Sequence, residues 1–260
     1  MLFLLSPAKT LDYETSAPDV AATRPHFVAE ATTLIVVLRR YGRDDIAAPM
    51  NLSDTLASLN VERYAAWRPR FTARNSKPAL FAFNGDVYEG LDANSLDADA
   101  LEWAQQHVVI LSGLYGALRP LDRLQAYRLE MGIRLPTARG RDLYAFWGQT
   151  LSGYLRSRLG ADAAPVVVNL ASQEYFRTSA PSTASTWACA WSSVCSKTGT
   201  AGASESSAST PSGRVASWCA TQCSSARSAR RRCKTLRWRV MLLTALPANP
   251  TAWCFGDAPQ

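Results

Sequence analysis

The first part of the chain alternates between short apolar runs and segments whose apolar residues recur at helical intervals. The apolar runs predict strands at residues 2–5, 80–83, 108–111 and 166–168. The helical intervals predict helices at residues 26–40, 96–106 and 142–159. Because strands alternate with helices, we expect an α/β to α+β fold with a single mixed sheet flanked by helices.

This pattern ends near Thr178, and the composition changes at the same place. Residues 179–260 are rich in Ser, Ala, Arg, Cys and Trp and hold all six cysteines and five of the eight tryptophans. Disordered tails are poor in Trp and Cys, whereas a GC-rich coding region read out of frame yields this mixture. We therefore hypothesise a frameshift after about residue 178. It would leave residues 1–178 as one incomplete domain and residues 179–260 as a basic tail that is disordered or not native.

The charge follows the same division. Residues 1–178 carry 19 basic and 19 acidic residues, so the net charge of +7 belongs to the C-terminal third. The chain shows neither a long apolar stretch nor a signal-peptide core, so we expect a cytoplasmic protein without a membrane partner. His26 and His107 have no Cys or carboxylate at ligand spacing, and we therefore expect no metal site and no cofactor.

Several short blocks follow one another across residues 1–178. They are LSPAKTLD (5–12), FNGDVY (83–88), LSGLYG (111–116), LRPLD (118–122), YRLEMG (127–132) and NLAS (169–172). In this order and spacing they resemble the peroxide-stress YaaA family, and the resemblance stops near Arg177. It implies a bacterial protein that limits hydrogen-peroxide damage and is associated with lower free intracellular iron. It also implies a DNA-binding protein with a helix-hairpin-helix element and a positively charged cleft.

Polar residues follow three of the predicted strands. Ser6 and Lys9 come after the first, Ser112 after the third, and Asn169 and Ser172 after the fourth. Ligands favour the carboxyl edge of an open α/β sheet, so these residues are expected to converge on one polar cleft. Together with the resemblance, this position favours a Lys9 that faces phosphate. The alternative is an ordinary solvated lysine in a turn.

A second group of candidates lies between residues 112 and 130. Two glycines there permit positive φ angles and close backbone approach. The planar guanidinium of arginine suits phosphate or carboxylate, although Arg128 and Glu130 could equally form a buried structural pair. The full ligand-binding or phosphate-binding set is Ser6, Lys9, Ser112, Gly113, Tyr115, Gly116, Arg119, Arg128, Glu130, Asn169 and Ser172.

Residues 52–64 supply the candidate helix-hairpin-helix. The expected hairpin contains Ser58, Leu59, Asn60 and Val61, and its backbone N–H groups would bind DNA phosphates. Trp67 and Phe71 lie just downstream and could stack on unpaired bases or pack in the core. Positive charge is concentrated nearby at Arg63, Arg68, Arg70 and Arg74.

Three functions stay open at this point. The leading one is a DNA-associating peroxide-stress protein of YaaA type. The second is an enzyme that acts on a nucleotide, a base or another small phosphate-bearing ligand in the polar cleft. The third is a nonfunctional, frameshifted product.

Overall fold

A computed structural model describes residues 1–160, 166–179 and 188–191. The strands are β1 (Leu2–Leu5), β2 (Thr10–Leu11), β3 (Lys77–Pro78), β4 (Phe83–Asn84), β5 (Val108–Ser112), β6 (Gly116–Leu118), β7 (Arg123–Leu124), β8 (Val166–Asn169) and β9 (Ala188–Trp191). The helices are α1 (Val28–Leu38), α2 (Arg43–Met50), α3 (Asp54–Ala66), α4 (Ala79–Ala82), α5 (Asp86–Leu91), α6 (Ala98–His107), α7 (Leu143–Trp147), α8 (Thr150–Leu159) and α9 (Gln173–Phe176).

The main sheet is mixed, as the sequence predicts. Its strand order is β6-β5-β1-β8-β9. Strand β1 pairs in parallel with β5 and β8, β9 pairs in parallel with β8, and β6 runs antiparallel to β5. The carboxyl ends of β1, β5 and β8 therefore lie along one edge of the sheet. The residues that follow these strands are brought close together there.

The core lies around the central strands. Leu4 of β1 and Val109, Ile110 and Leu111 of β5 are fully buried, which explains why these strands are apolar on both faces. The helices contribute residues at helical spacing, such as the buried Leu151, Leu155 and Leu159 of α8. The predicted α/β to α+β class with helices flanking a mixed sheet is confirmed.

The predicted hairpin at residues 58–61 is wrong. Ser58, Leu59, Asn60 and Val61 lie inside the continuous helix α3. Asn60 looked like a turn residue, but it is buried, and its Nδ2 donates to the carbonyl of Leu56 one turn earlier, at 2.7 Å. The side chain is thus satisfied within the helix and does not interrupt it.

The chain turns before this helix instead. Asn51 ends α2 in the left-handed conformation, with φ of 49°. Ser53 then caps α3 by accepting a hydrogen bond from the backbone N–H of Leu56. Ser53 is thus the N-cap of α3, and the helix begins at Asp54.

Two of the predicted secondary-structure elements also differ from the structure. Residues 80–83 were expected to form a strand, but Ala79–Ala82 is a buried helical turn; a short apolar run does not distinguish the two by period. The helix expected at residues 142–159 is two helices, α7 and α8. They separate at Gly148, whose φ of +45° is incompatible with a continuous α-helix.

The expectations for the tail fall mostly on residues outside those the structure describes. Within the described part, Ala188–Trp191 adds to the sheet beside β8, with Val166 opposite Ala188. The boundary proposed at residue 178 follows α9 directly.

Candidate functional site

Two hydroxyl groups meet at the carboxyl edge of the sheet. Ser6 follows β1, and Ser172 follows β8 and precedes α9. The backbone N–H of Ser172 donates to Ser6 Oγ at 2.8 Å, and Ser6 Oγ donates to Ser172 Oγ at 3.3 Å. Asn169 Oδ1 accepts from the N–H of Ala171 at 3.0 Å and shapes the connecting turn. The structure therefore brings together the residues that follow the first and last predicted strands.

Glu130 joins two cations, one of which, Lys9, lies three residues after Ser6. Its Oε1 lies 2.9 Å from Arg128 Nη2 and 3.4 Å from Lys9 Nζ. The side chain of Lys9 is 67% exposed, whereas those of Arg128 and Glu130 are 18% and 21% exposed. The Arg128–Glu130 pair is therefore present but not fully buried, and the lysine remains accessible to a ligand.

A third cation, Arg63 of α3, lies near Arg128, because the hydroxyl of its neighbour Tyr64 donates to the carbonyl of Arg128. Burial lowers the pKa of Arg63, and the neighbouring charge of Arg128 lowers it further, while Tyr13 and Tyr64 oppose the change. Its guanidinium donates to Asn60 Oδ1 at 3.4 Å. Among the residues that the structure describes, no carboxylate forms an ion pair with it. We call Lys9, Arg63, Arg128 and Glu130 the cation cluster, which holds three positive charges against one negative charge.

Ser112 and Tyr115 lie beneath this surface. Both are fully buried. Ser112 Oγ is 2.6 Å from the hydroxyl of Tyr127 and accepts from the N–H of Tyr115 at 2.9 Å. Burial raises the pKa of Tyr127, so the phenol stays protonated at neutral pH. These two predicted ligand residues are part of the scaffold that supports the site.

The two glycines of this segment allow close packing. A Cβ atom at Gly113 would lie 2.3 Å from the carbonyl oxygen of Leu129. Gly116 has φ of +68°, and its Cβ would lie 2.6 Å from the ring of Trp147. Gly113 thus lets the strand end touch the segment that carries Arg128 and Glu130.

Arg119 lies elsewhere. It follows β6, which runs antiparallel to β5, so it sits away from the carboxyl edge. Its guanidinium bonds the buried carboxylate of Asp122 at 3.1 Å, and Asp122 also accepts from Thr23 Oγ1. Arg119 is therefore not among the residues that the structure brings together at this edge, and it forms an ion pair with Asp122 instead.

The arginines predicted to bind DNA divide into two groups. Arg63 belongs to the cation cluster, whereas Arg68, Arg70 and Arg74 are exposed on the segment after α3. Trp67 is buried and donates its Nε1–H to the hydroxyl of Tyr115 at 2.9 Å. Of the two aromatic residues considered for base stacking, only the half-buried Phe71 reaches the surface.

Sequence reasoning missed two residues that hold the site together. The hydroxyl of Tyr88 donates to the carbonyl of Ser6 at 2.8 Å. Glu174 Oε1 accepts from the N–H of Gly132 at 2.7 Å. Both contacts join segments distant in sequence, so no local pattern predicts them.

The described ranges contain neither a candidate metal site nor a candidate membrane-spanning helix. No group of three or more His, Cys, Asp or Glu side chains there could hold a metal ion. In the same part of the chain, no helix is both long and apolar enough to cross a membrane.

Comparisons with known proteins identify the family. The sequence profile of the peroxide stress protein YaaA family matches residues 1–226. A UPF0246 protein of Paracidovorax citrulli is 65% identical over 178 residues, which cover 68% of this chain and 69% of that protein. A UPF0246 protein of Bordetella avium is 59% identical over 177 residues, covering 68% of this chain and 69% of that protein. Another, from a Janthinobacterium species, is 56% identical over 181 residues, covering 70% of each chain. The chain belongs to the peroxide stress protein YaaA family.

Proposed function

We propose that this protein limits peroxide damage by associating with DNA in the cytoplasm, and that the cation cluster contacts the phosphate backbone. The observation that supports this is the imbalance of charge at the carboxyl edge of the sheet. Three of the four charged residues of the cluster are cations: Lys9 and Arg128 contact the carboxylate of Glu130, and Arg63 lies near Arg128. The neighbouring carboxylate of Glu174 accepts from the N–H of Gly132. An accessible site with excess positive charge attracts a polyanion and gains affinity when counterions are released.

The chemistry of the three cations suits phosphate oxygens. The guanidiniums of Arg63 and Arg128 present planar sets of N–H donors, and the exposed ammonium of Lys9 can follow the ligand. Such contacts are made to the backbone and carry no sequence information. We therefore propose binding that is independent of DNA sequence. The exposed Arg68, Arg70 and Arg74 would extend the contact surface.

The test measures DNA affinity of the full chain across a series of salt concentrations, by fluorescence anisotropy with a labelled duplex. Lys9→Gln removes the most exposed cation of the cluster, and Arg40→Gln removes an exposed arginine that lies outside it. We expect Lys9→Gln to weaken binding and to reduce the slope of log K against log salt by about 0.9, the value of one phosphate contact. Arg40→Gln should leave both unchanged.

The arginines at 227 and 230–232 could bind DNA by charge alone, so a control variant is needed there. Replacing Arg230, Arg231 and Arg232 by Gln separates that contribution from the cluster. If this variant loses DNA binding while Lys9→Gln retains the wild-type affinity and slope, the proposed function is refuted.

A second candidate function uses the same cleft for a small ligand. The Ser6 and Ser172 hydroxyls lie at the strand ends, which is where open α/β sheets bind ligands. An enzyme acting on a nucleotide, a base or another phosphate-bearing compound would hold it there with Lys9. Saturable binding of such a compound that Lys9→Gln abolishes would support this function. Equal binding by Lys9→Gln and wild type would reject it.

In this proposal the association with lower intracellular iron is indirect: it depends on the cation cluster and on no group of metal-ligating side chains among the described residues. Whole-cell EPR of free iron, with and without Lys9→Gln in place of the wild-type gene, tests this. A variant that loses DNA binding but keeps the effect on iron would contradict the proposal.

We also propose that the chain after about residue 178 is read out of frame. The change in composition supports this, as do the matches to the UPF0246 proteins, which cover 177 to 181 residues. The family profile matches as far as residue 226, a match that an early frameshift would not by itself produce. Resequencing the codons around Thr178 is decisive. If correcting one inserted or missing base restores the family's C-terminal segments, the proposal is supported, the tail is an error, and the site belongs to the repaired protein. If the sequence stands as written, a nonfunctional product becomes the expected outcome. A region in which no single-base change restores those segments refutes the proposal.

A further inference from the structure

A separate groove lies between the loop before α1 and the segment after α3. Its volume is about 440 Å³, within the range of small-molecule sites. It is lined by Ala22, Thr23, Arg24, Pro69, Arg70, Phe71 and Arg123. None of these residues belongs to the cation cluster.

The groove is strongly positive. Arg24, Arg70 and Arg123 line it, and no lining residue is acidic. In the described part of the chain, none of the three forms an ion pair, and only Arg123 has a side-chain hydrogen bond, from Nη1 to the carbonyl of Ser76 at 3.1 Å. The neighbouring carboxylate of Asp122 is fully buried and is turned towards Thr23 and Arg119. Most of the guanidinium N–H groups are therefore available to an anion.

The walls of the groove are joined by hydrogen bonds. The N–H of Thr23 donates to the carbonyl of Leu121, and the N–H of Arg123 donates to the carbonyl of Thr23, both at 2.8 Å. Gln105 Nε2 also donates to Thr23 Oγ1 at 2.9 Å. Because the backbone on both sides is fixed, Arg24 and Arg123 are held close together before a ligand arrives. This lowers the entropy lost on binding.

An aromatic wall completes the groove. Phe71 packs edge-on against the buried Trp67, with ring centroids 6.1 Å apart, and lies 6.2 Å from the ring of Tyr115. Its ring is thus supported from behind by the core. Pro69 and Ala22 add apolar surface beside it. A flat ring next to several guanidiniums suits a ligand that combines phosphate with an aromatic base.

We propose that this groove binds a nucleotide. Its phosphates are held by Arg24, Arg70 and Arg123, and its base lies against Phe71. The arginine fork provides paired N–H donors for phosphate oxygens. The site is distinct from the cation cluster, so Lys9→Gln should weaken DNA binding and leave nucleotide binding unchanged. Arg70 is shared, because it lines the groove and also extends the proposed DNA contact surface.

The test is isothermal titration calorimetry of the full chain with ATP, pyrophosphate and adenosine. We expect saturable binding of ATP and weaker binding of the other two compounds. Arg70→Gln, which changes an exposed residue, should weaken ATP binding about tenfold, and Phe71→Leu should weaken ATP but not pyrophosphate. Arg40→Gln, an exposed arginine outside the groove, serves as the matched control.

Four results would overturn the proposal. The first is the absence of saturable ATP binding, and the second is an equal ATP affinity in wild type and Arg70→Gln. The third is loss of ATP binding in Lys9→Gln but not in Arg70→Gln. The fourth is Arg70-dependent binding of a single-stranded oligonucleotide without any binding of ATP. Equal effects of Phe71→Leu on ATP and pyrophosphate would overturn the base contact. DNA and ATP affinities measured on Lys9→Gln, which changes no residue of the groove, keep this test separate from that of the proposed function.

Discussion

The close contact between Gly113 and Leu129 connects the fold to the site and predicts the effect of one methyl group. In Gly113→Ala the new Cβ would lie 2.3 Å from the carbonyl oxygen of Leu129. Real Cβ atoms do not approach closer than 3.0 Å, so that oxygen must move by at least about 0.7 Å. The obstacle is backbone, and Leu129 itself is buried, so no flexible side chain can absorb the shift.

The expected cost is at the upper end for overpacking, about 3 kcal/mol in the free energy of unfolding. The matched control is Gly153→Ala in α8, where a Cβ atom meets nothing within 4 Å. Removing a glycine from a helix interior should raise the free energy of unfolding by about 0.5–1 kcal/mol. One methyl group therefore has opposite effects at the two positions.

Denaturant titrations followed by far-UV circular dichroism measure both changes. This signal avoids the five tryptophans beyond residue 186, which would complicate fluorescence. The movement of Leu129 should also displace Arg128 and Glu130, so Gly113→Ala is expected to weaken ligand binding at the cation cluster. A Gly113→Ala variant as stable as wild type would refute the packing argument. Equal shifts in both glycine variants would do the same.

Two further predictions concern buried hydrogen bonds and acid stability. Trp67→Phe removes the donor to Tyr115 and should lower the free energy of unfolding by about 1–3 kcal/mol. The control Trp103→Phe changes a half-buried residue and should lower it less. Equal losses in denaturant titrations would contradict this prediction. The backbone N–H groups of Thr15 and Glu14, with Lys77, lower the pKa of Asp12 to about 2. The ionised Asp12 therefore stabilises the fold above its unfolded pKa of about 3.9, and this contribution is lost as the pH falls towards 2. The free energy of unfolding, measured between pH 4 and pH 2, should depend less on pH in Asp12→Asn than in wild type. An unchanged dependence would contradict the lowered pKa of Asp12.

The apolar period of the sequence was sufficient to predict the central sheet. Residues 2–5, 108–111 and 166–168 form β1, β5 and β8. The strand β5 is buried on both faces, which explains its continuous apolar run, whereas β8 alternates between buried and partly buried residues. The apolar period did not predict the secondary structure where the apolar run is short or where a side chain forms a local hydrogen bond. The buried run at 80–83 fits either a helix or a strand, and Asn60 satisfied its amide inside a helix where a turn was expected.

Part of the candidate site could be predicted, because some of its residues follow the predicted strands directly in the sequence. Ser6, Lys9, Asn169 and Ser172 follow strands, so the rule about carboxyl ends brings them to one edge. The same rule included Ser112, which the fold buries completely, because position along the chain does not determine the depth of a side chain.

The sequence by itself determined the family, the type of sheet and the division of charge at residue 178, because apolar period, motif order and composition are properties of the chain. Only the tertiary structure decided which charges meet. Arg63 and Arg128 are 65 positions apart in the sequence and become neighbours when α3 packs beside the segment after β7. Arg24 and Arg123 line the same groove because backbone hydrogen bonds join Thr23 to Leu121 and Arg123. Electrostatic interaction depends on distance in space, and only folding sets that distance.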